Sequence, residues 1–205
     1  MKVLLINGSP RVHGNTALGL TEMQKVFEEE GIEAELIQIG NRDIRGCIAC
    51  GQCGKLGKCV FDDAVNEVAP KFREADGIVI GSPVYYSSPA GGLISFLDRL
   101  FYSTHFSKAM KVGAAITVAR RGGNSASFDV LNKYFSINNM PIATSCYWNM
   151  LYGLQPGESE QDDEGLTTVR QLARNMAFLM KSIALGKENY GMPKTEPRKP
   201  TNFIR

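Results

Sequence analysis

Apolar positions along this chain alternate between short continuous runs and stretches with helical spacing. Residues Lys2 to Ile6 form a nearly unbroken apolar run, the pattern of a strand covered on both faces. After a turn, Leu20, Met23 and Phe27 recur at helical spacing between Thr16 and Glu30. Gly31, which tolerates positive φ, is a natural stop for that helix. Ala34 to Ile39 reads as a second strand. The pattern then breaks for about twenty residues, from Gly40 to Phe61, and a loop that long in a compact domain is usually functional. Asp62 is expected to cap a helix reaching about Ala75, with Pro70 as a point of kinking. Gly77 to Gly81 is a third strand, followed by a loop and a helix from about Gly92 to Phe101. Val112 to Val118 is a fourth strand, Asn124 to Ile137 a helix, and Ile142 to Tyr147 a fifth strand. The acidic stretch Gly157 to Glu164 reads as a solvated loop whose charges favour a helix N-terminus. That last helix is expected over Glu164 to Leu185, with Leu166, Val169, Leu172, Met176, Leu179 and Ile183 along one face.

Strands alternating with helices in this way imply a doubly wound α/β domain with a parallel sheet. Such sheets bind ligands beyond the strand C-termini, where the strand order reverses. The loops after strands one, three and four are therefore the places to look for chemistry.

Composition narrows the class. A chain of 205 residues suits one domain, and its 43% hydrophobic and 21% charged residues exclude disorder. The net charge of +2, from 23 basic and 21 acidic residues, removes an electrostatic case for nucleic acid or an anionic membrane as partner. No apolar run reaches the roughly 18 residues of a membrane span, and the first one ends too early, at Asn7-Gly8, for a signal peptide. A cytoplasmic location is expected. Four of the five cysteines fall between Cys47 and Cys59, which a disulfide framework would not do. The fifth, Cys146, reads as a buried small hydrophobe.

The first loop, Gly8-Ser9-Pro10-Arg11-Val12-His13-Gly14-Asn15-Thr16, joins a strand directly to a helix. Helix N–H groups, the hydroxyls of Ser9 and Thr16, the amide of Asn15 and the charge of Arg11 can together hold a phosphate. The loop is not a triphosphate P-loop, because Asn15 stands where that motif needs Lys, and it lacks GxGxxG. The bland alternative is a tight turn with Asn15 or Thr16 capping the helix, and His13 reads as an exposed loop residue. The second loop, Gly81-Ser82-Pro83-Val84-Tyr85-Tyr86-Ser87-Ser88-Pro89, is stiffened by two prolines and offers flat tyrosines to a planar heterocycle. Packing is the alternative role for one tyrosine of the pair. In the third loop, Ala119-Arg120-Arg121-Gly122-Gly123, the glycines permit close backbone approach to a ligand. Its arginines carry only a weak case for meeting a dinucleotide phosphate.

Together, GSPRVHGNT at Gly8–Thr16 and GSPVYYSSPAGGLISFLDR at Gly81–Arg99 resemble the flavodoxin-like NADPH-dependent FMN reductase family. The resemblance spans residues 1–185 as one domain, with 40–61 a Cys-rich insertion and 186–205 a tail. It implies a five-stranded parallel sheet of order 2-1-3-4-5. It also implies FMN, its phosphate held by Ser9, Arg11, Asn15 and Thr16. Ser82, Pro83, Val84, Tyr85 and Tyr86 would line the isoalloxazine, and Ala119, Gly122 and Gly123 would close its other edge. No side chain is singled out as a general acid or base, because the flavin carries the chemistry.

Cys47, Cys50, Cys53 and Cys59 have the spacing C-x2-C-x2-C-x5-C, with Gly46, Gly51, Gly54 and Gly57 between or beside them. The run favours one [4Fe–4S] cluster held by all four, against a zinc site or a redox thiol loop. The insertion resembles that of the iron–sulfur flavoproteins. By that resemblance the chain is an oxidoreductase taking electrons from NAD(P)H or a reduced carrier to a small-molecule or protein acceptor. An electron carrier without its own substrate and a non-redox phosphate module are the alternatives. A homodimer or homotetramer is expected, with the polar tail lying across a neighbouring subunit.

Overall fold

A computed structural model describes every residue except Arg198, Asn202 and Arg205. The first half comprises β1 (Lys2–Asn7), α1 (Asn15–Glu29), β2 (Glu33–Gln38), the one-turn α2 (Cys53–Leu56) and α3 (Ala64–Glu74). There follow β3 (Gly77–Tyr85), the two-residue β4 (Ser88–Pro89), α4 (Gly91–Ser103), β5 (Val112–Ala119), α5 (Asn124–Ser136) and β6 (Met150–Tyr152). A 3-10 turn at Glu158–Gln161 leads into α6 (Asp163–Tyr190). The main strands pair in parallel in the order β2-β1-β3-β5-β6, so the order reverses beside β1 and β3. This is the expected flavodoxin-like α/β arrangement.

The sheet differs from the clean five-stranded expectation in two ways. First, β3 runs on past Gly81 and folds back through β4, which pairs with it antiparallel. Second, the last strand is Met150–Tyr152, not Ile142–Tyr147. Ile142 makes only an isolated bridge to Gly113, and the chain then leaves the sheet. The ladder resumes where the Thr117 N–H donates to the Asn149 carbonyl (3.0 Å), while the Asn149 amide donates to the Ala115 carbonyl (3.0 Å). The excursion carries Tyr147 and Trp148 into solvent, and Cys146, expected to be buried, is exposed with them. Apolar residue types fill the run, but among the described residues its last backbone bond to β5 is from Ala143 to Gly113, and the next comes only at Asn149.

Along β1, alternate side chains feed two cores, as a strand covered on both faces requires. Leu4 and Ile6 pack with Phe72 of α3, Phe96 of α4 and Phe135 of α5. Val3 and Leu5 pack with Leu20 and Phe27 of α1 and with Leu172 and Met176 of α6. Each such side chain contributes about 1.5–3 kcal/mol on burial. The cap of α3 is Asp63, not Asp62, its carboxylate accepting from the Val65 N–H (3.0 Å), and the helix runs through Pro70. The final helix extends to Tyr190, so residues expected to begin the tail complete its last turn. Among the described residues no helix is long and apolar enough to cross a membrane.

Candidate functional site

The loop after β1 is locked from behind before it meets any ligand. The Asn7 side chain accepts from the Ser9 N–H (3.0 Å) and donates to Gln38 Oε1 (2.6 Å), and Gln38 donates to the Ser9 carbonyl (2.7 Å). Gly40 closes the same side, since an added Cβ would lie 2.3 Å from the Gly8 carbonyl oxygen. The Ser9 hydroxyl accepts from the Arg11 N–H (3.1 Å). Gly14 is the N-cap of α1, and no side chain caps the helix, so neither Asn15 nor Thr16 does so. The first-turn N–H groups of α1 are thus available to an anion.

Asn15 is committed elsewhere. Its buried amide donates to the Gln155 carbonyl (2.9 Å) and accepts from the N–H groups of Gly157 (2.9 Å) and Ser159 (3.3 Å). Arg11 reaches the same segment, donating to the Leu154 carbonyl (3.2 Å). The Glu158 carboxylate accepts from the N–H groups of Gln155 (3.0 Å) and Leu154 (2.6 Å), which hold it below the usual glutamate range. Residues 153–159 therefore form a fourth wall. The acidic stretch expected to be a solvated loop is partly structural, with Ser159 buried. The sequence carried no signal for this wall, because its partners on the first loop are 140 or more positions away.

One cleft results, beyond the C-terminal ends of β1, β3 and β5. It is lined by Ser9, Arg11, Asn15, Thr16, Pro83, Val84, Tyr85 and Ala119, all singled out from sequence, and by Val118, Arg120, Gly153 and Leu154, which were not assigned to it. Ser82, Tyr86, Gly122 and Gly123 do not line it. Ser82 lies beneath, donating to the Pro83 carbonyl (2.8 Å) and accepting from the Ala90 N–H (3.0 Å), which fixes the start of α4. Tyr86 is fully exposed at the hairpin tip, where it and Ser87 adopt φ of 52° and 59°. Gly123 (φ 90°) packs under that hairpin, and a Cβ there would meet Ser87 Oγ at 2.8 Å. Gly122 and His13 are exposed. Anion donors at one end and the walls Pro83, Val84 and Tyr85 at the other fit a phosphorylated planar heterocycle such as FMN.

The segment after β2 holds the clustered cysteines. Ala49, Gly51 and Gly57 take φ of 54°, 67° and 68°, the tight left-handed turns that fold it back on itself. Cys47 and Cys50 are exposed, Cys53 and Cys59 half-buried, and all are free thiols. All four line one small hollow with Ile48, Val60, Phe61, Arg99 and Tyr102. Among the described residues no three metal-binding side chains stand in coordinating geometry. The donor set, four soft sulfurs around one largely apolar hollow, nevertheless fits an iron–sulfur cluster or zinc.

Comparison with known proteins joins the two regions. The family model described as NADPH-dependent FMN reductase matches residues 1–154. An iron–sulfur flavoprotein of Methanocaldococcus jannaschii is 37% identical over 89% of this chain and 99% of its own length. Another, from Methanosarcina thermophila, is 30% identical over 92% of this chain and 100% of its own. Among solved structures, RosB with bound 8-demethyl-8-formylriboflavin-5'-phosphate superposes with a TM-score of 0.68 at 16% identity, covering 100% of this chain and 94% of RosB.

Proposed function

This chain belongs to the NADPH-dependent FMN reductase family, in its iron–sulfur flavoprotein subgroup, and from that premise we propose how its residues serve a flavin-dependent oxidoreductase. The observation that carries the reading is the convergence of the loops after β1, β3 and β5 on one cleft. The uncapped N-terminus of α1, the hydroxyls of Ser9 and Thr16 and the charge of Arg11 would hold the FMN phosphate. Asn15 acts one step removed, by pinning the 153–159 wall that Arg11 leans on. Pro83, Val84, Tyr85, Ala119 and Arg120, which line the rest of the cleft, would hold the ring system. Tyr86 and Gly123 shape the hairpin and turn that hold those walls in place, while Gly122 stands in open space. When bound, FMN supplies the electron- and hydride-accepting chemistry, and the protein supplies position and field.

Cys47, Cys50, Cys53 and Cys59 would hold a [4Fe–4S] cluster, which passes single electrons. Electrons enter from NAD(P)H or a reduced carrier and leave to a small-molecule or protein acceptor. The chain works as a homodimer or homotetramer, a reading that the exposed aromatics Tyr86, Tyr147 and Trp148 support. Flavin released by denaturing anaerobically purified protein should be FMN by mass spectrometry. NAD(P)H consumption with an added acceptor should follow its occupancy. Predominant FAD would mean that the cleft is misread, and flavin without any turnover would favour an electron carrier.

A further inference from the structure

Among the described residues Arg99 of α4 is the largest fully buried side chain, 1% exposed, and it lines the hollow of the cysteine loop. A buried guanidinium must place its N–H groups on acceptors or be strongly destabilising. All five find partners. Nη1 and Nη2 donate to the two Asp63 carboxylate oxygens (2.7 and 3.0 Å), and Nη1 also donates to the Arg45 carbonyl (3.2 Å). The other two, from Nε and Nη2, both go to one atom, the sulfur of Cys59 (3.3 and 3.2 Å). The guanidinium lies 5.0 Å from the centre of the Phe61 ring. Around the same cysteine, Asn66 accepts from the Cys59 N–H (3.0 Å) and donates to the Cys59 and Phe61 carbonyls (2.9 and 3.0 Å).

Cys59 is thereby held at its backbone and at its sulfur, while Cys47 and Cys50 stand on exposed, glycine-rich chain. A neutral thiol is a weak acceptor, whereas two charge-assisted donors on one sulfur suit a thiolate ligand. Arginine is required for this. Its planar fork can engage a carboxylate with one edge and a sulfur with the other, and an ammonium cannot.

We propose that Arg99, set by Asp63, is the positioning residue of one corner of the iron–sulfur site: it presents Cys59 as the preorganised ligand and, by N–H donation to that sulfur, raises the cluster's reduction potential relative to the flavin. Hydrogen bonds to ligand sulfurs and nearby charge are among the levers that set such potentials. The inference rests on the cluster reading above, and the test separates the two.

Wild-type protein, Arg99→Lys and Asp63→Asn are each prepared anaerobically and reconstituted with iron and sulfide. Iron and sulfide are counted, and a redox titration follows the cluster by EPR and the flavin by absorbance in the same sample. Wild type should hold about four iron and four sulfide per chain. Arg99→Lys should lower the cluster potential and leave the flavin potential unchanged. Asp63→Asn keeps a side-chain oxygen to cap α3 but removes the charge that offsets Arg99, so it should raise the cluster potential. If Arg99→Lys fails to fold or load, the Asp63→Asn shift decides alone. A loaded Arg99→Lys cluster at the wild-type potential, or an Asp63→Asn cluster that does not shift upward, would overturn the role of Arg99 while sparing the cluster. Wild type without iron and sulfide would overturn both.

Discussion

Asn15 shows how a residue's type and its employment can differ. Its amide suits a phosphate, yet both ends are taken by Gln155, Gly157 and Ser159, in a buried position. Each such hydrogen bond contributes about 0.5–1.5 kcal/mol, so loss of all three in Asn15→Ala should destabilise the fold by about 1.5–4.5 kcal/mol. Asn15→Asp keeps the two acceptor contacts but loses the donation to Gln155 and sets a carboxylate beside the proposed phosphate. One carboxylate oxygen then faces the Gln155 carbonyl oxygen in a buried position. This change should therefore cost at least as much stability as Asn15→Ala and weaken FMN binding by roughly tenfold or more. Thermal melts of the apoproteins and flavin fluorescence titrations check the two halves. Equal FMN affinity in Asn15→Asp would move the phosphate away from α1.

Among elements, the β3–β4 hairpin and the turn before α6 carry the sharpest expectations. Two consecutive non-glycine residues at positive φ, Tyr86 and Ser87, cost roughly 1–2 kcal/mol each, in a turn where Asn-Gly is the favoured pair. The double change Tyr86→Asn, Ser87→Gly should raise the denaturation midpoint. It should also lower turnover, if the strained tip is retained for the site or a neighbouring subunit. Unfolding curves and NAD(P)H assays on the same preparation decide it. Glu158 gives a pH dependence. Hydrogen bonds from Gln155 and Leu154 depress its pKa, so its support of the 153–159 wall is complete above the ordinary glutamate range. That support is lost as the pH falls through the depressed folded value. Acid titration of flavin release should show this limb, and Glu158→Gln should flatten it.

On the scale of the whole molecule, the two regions are mechanically separate. Residues 45–58 are exposed apart from the half-buried Cys53, and neither core depends on them. Removing the metal by chelation, or changing Cys53→Ala, should leave FMN bound and unfolding cooperative. The melting midpoint should shift by less than about 4 °C, the equivalent of about 1 kcal/mol at this size. Hydrogen exchange should quicken in the cysteine loop alone. A collapse of flavin binding on metal loss would mean that the loop braces the cleft.

Local rules were enough for much of this protein. The short apolar runs around Leu4, Val79 and Ile116 read as strands buried on both faces, and the apolar spacing of α1 and α6 reads as helices packed on such a sheet, as both cores bear out. The parallel sheet and the loops worth inspecting followed from that alternation, and the order that reverses beside β1 was what the family resemblance implied. Eight of the twelve flavin residues that the resemblance implied line the cleft. What the chain could not declare depended on distant partners. Ile142 to Tyr147 looks like a strand, but the chain leaves β5 after the bridge to Gly113 and carries Cys146 into solvent. Asn15 reads as a ligand residue until residues 155–159 arrive to occupy it. Arg99 reads as one more charge on a helix. Its burial against Asp63 and Cys59, 36 and 40 positions away, is decided by packing, because a guanidinium enters a core only where every donor finds an acceptor.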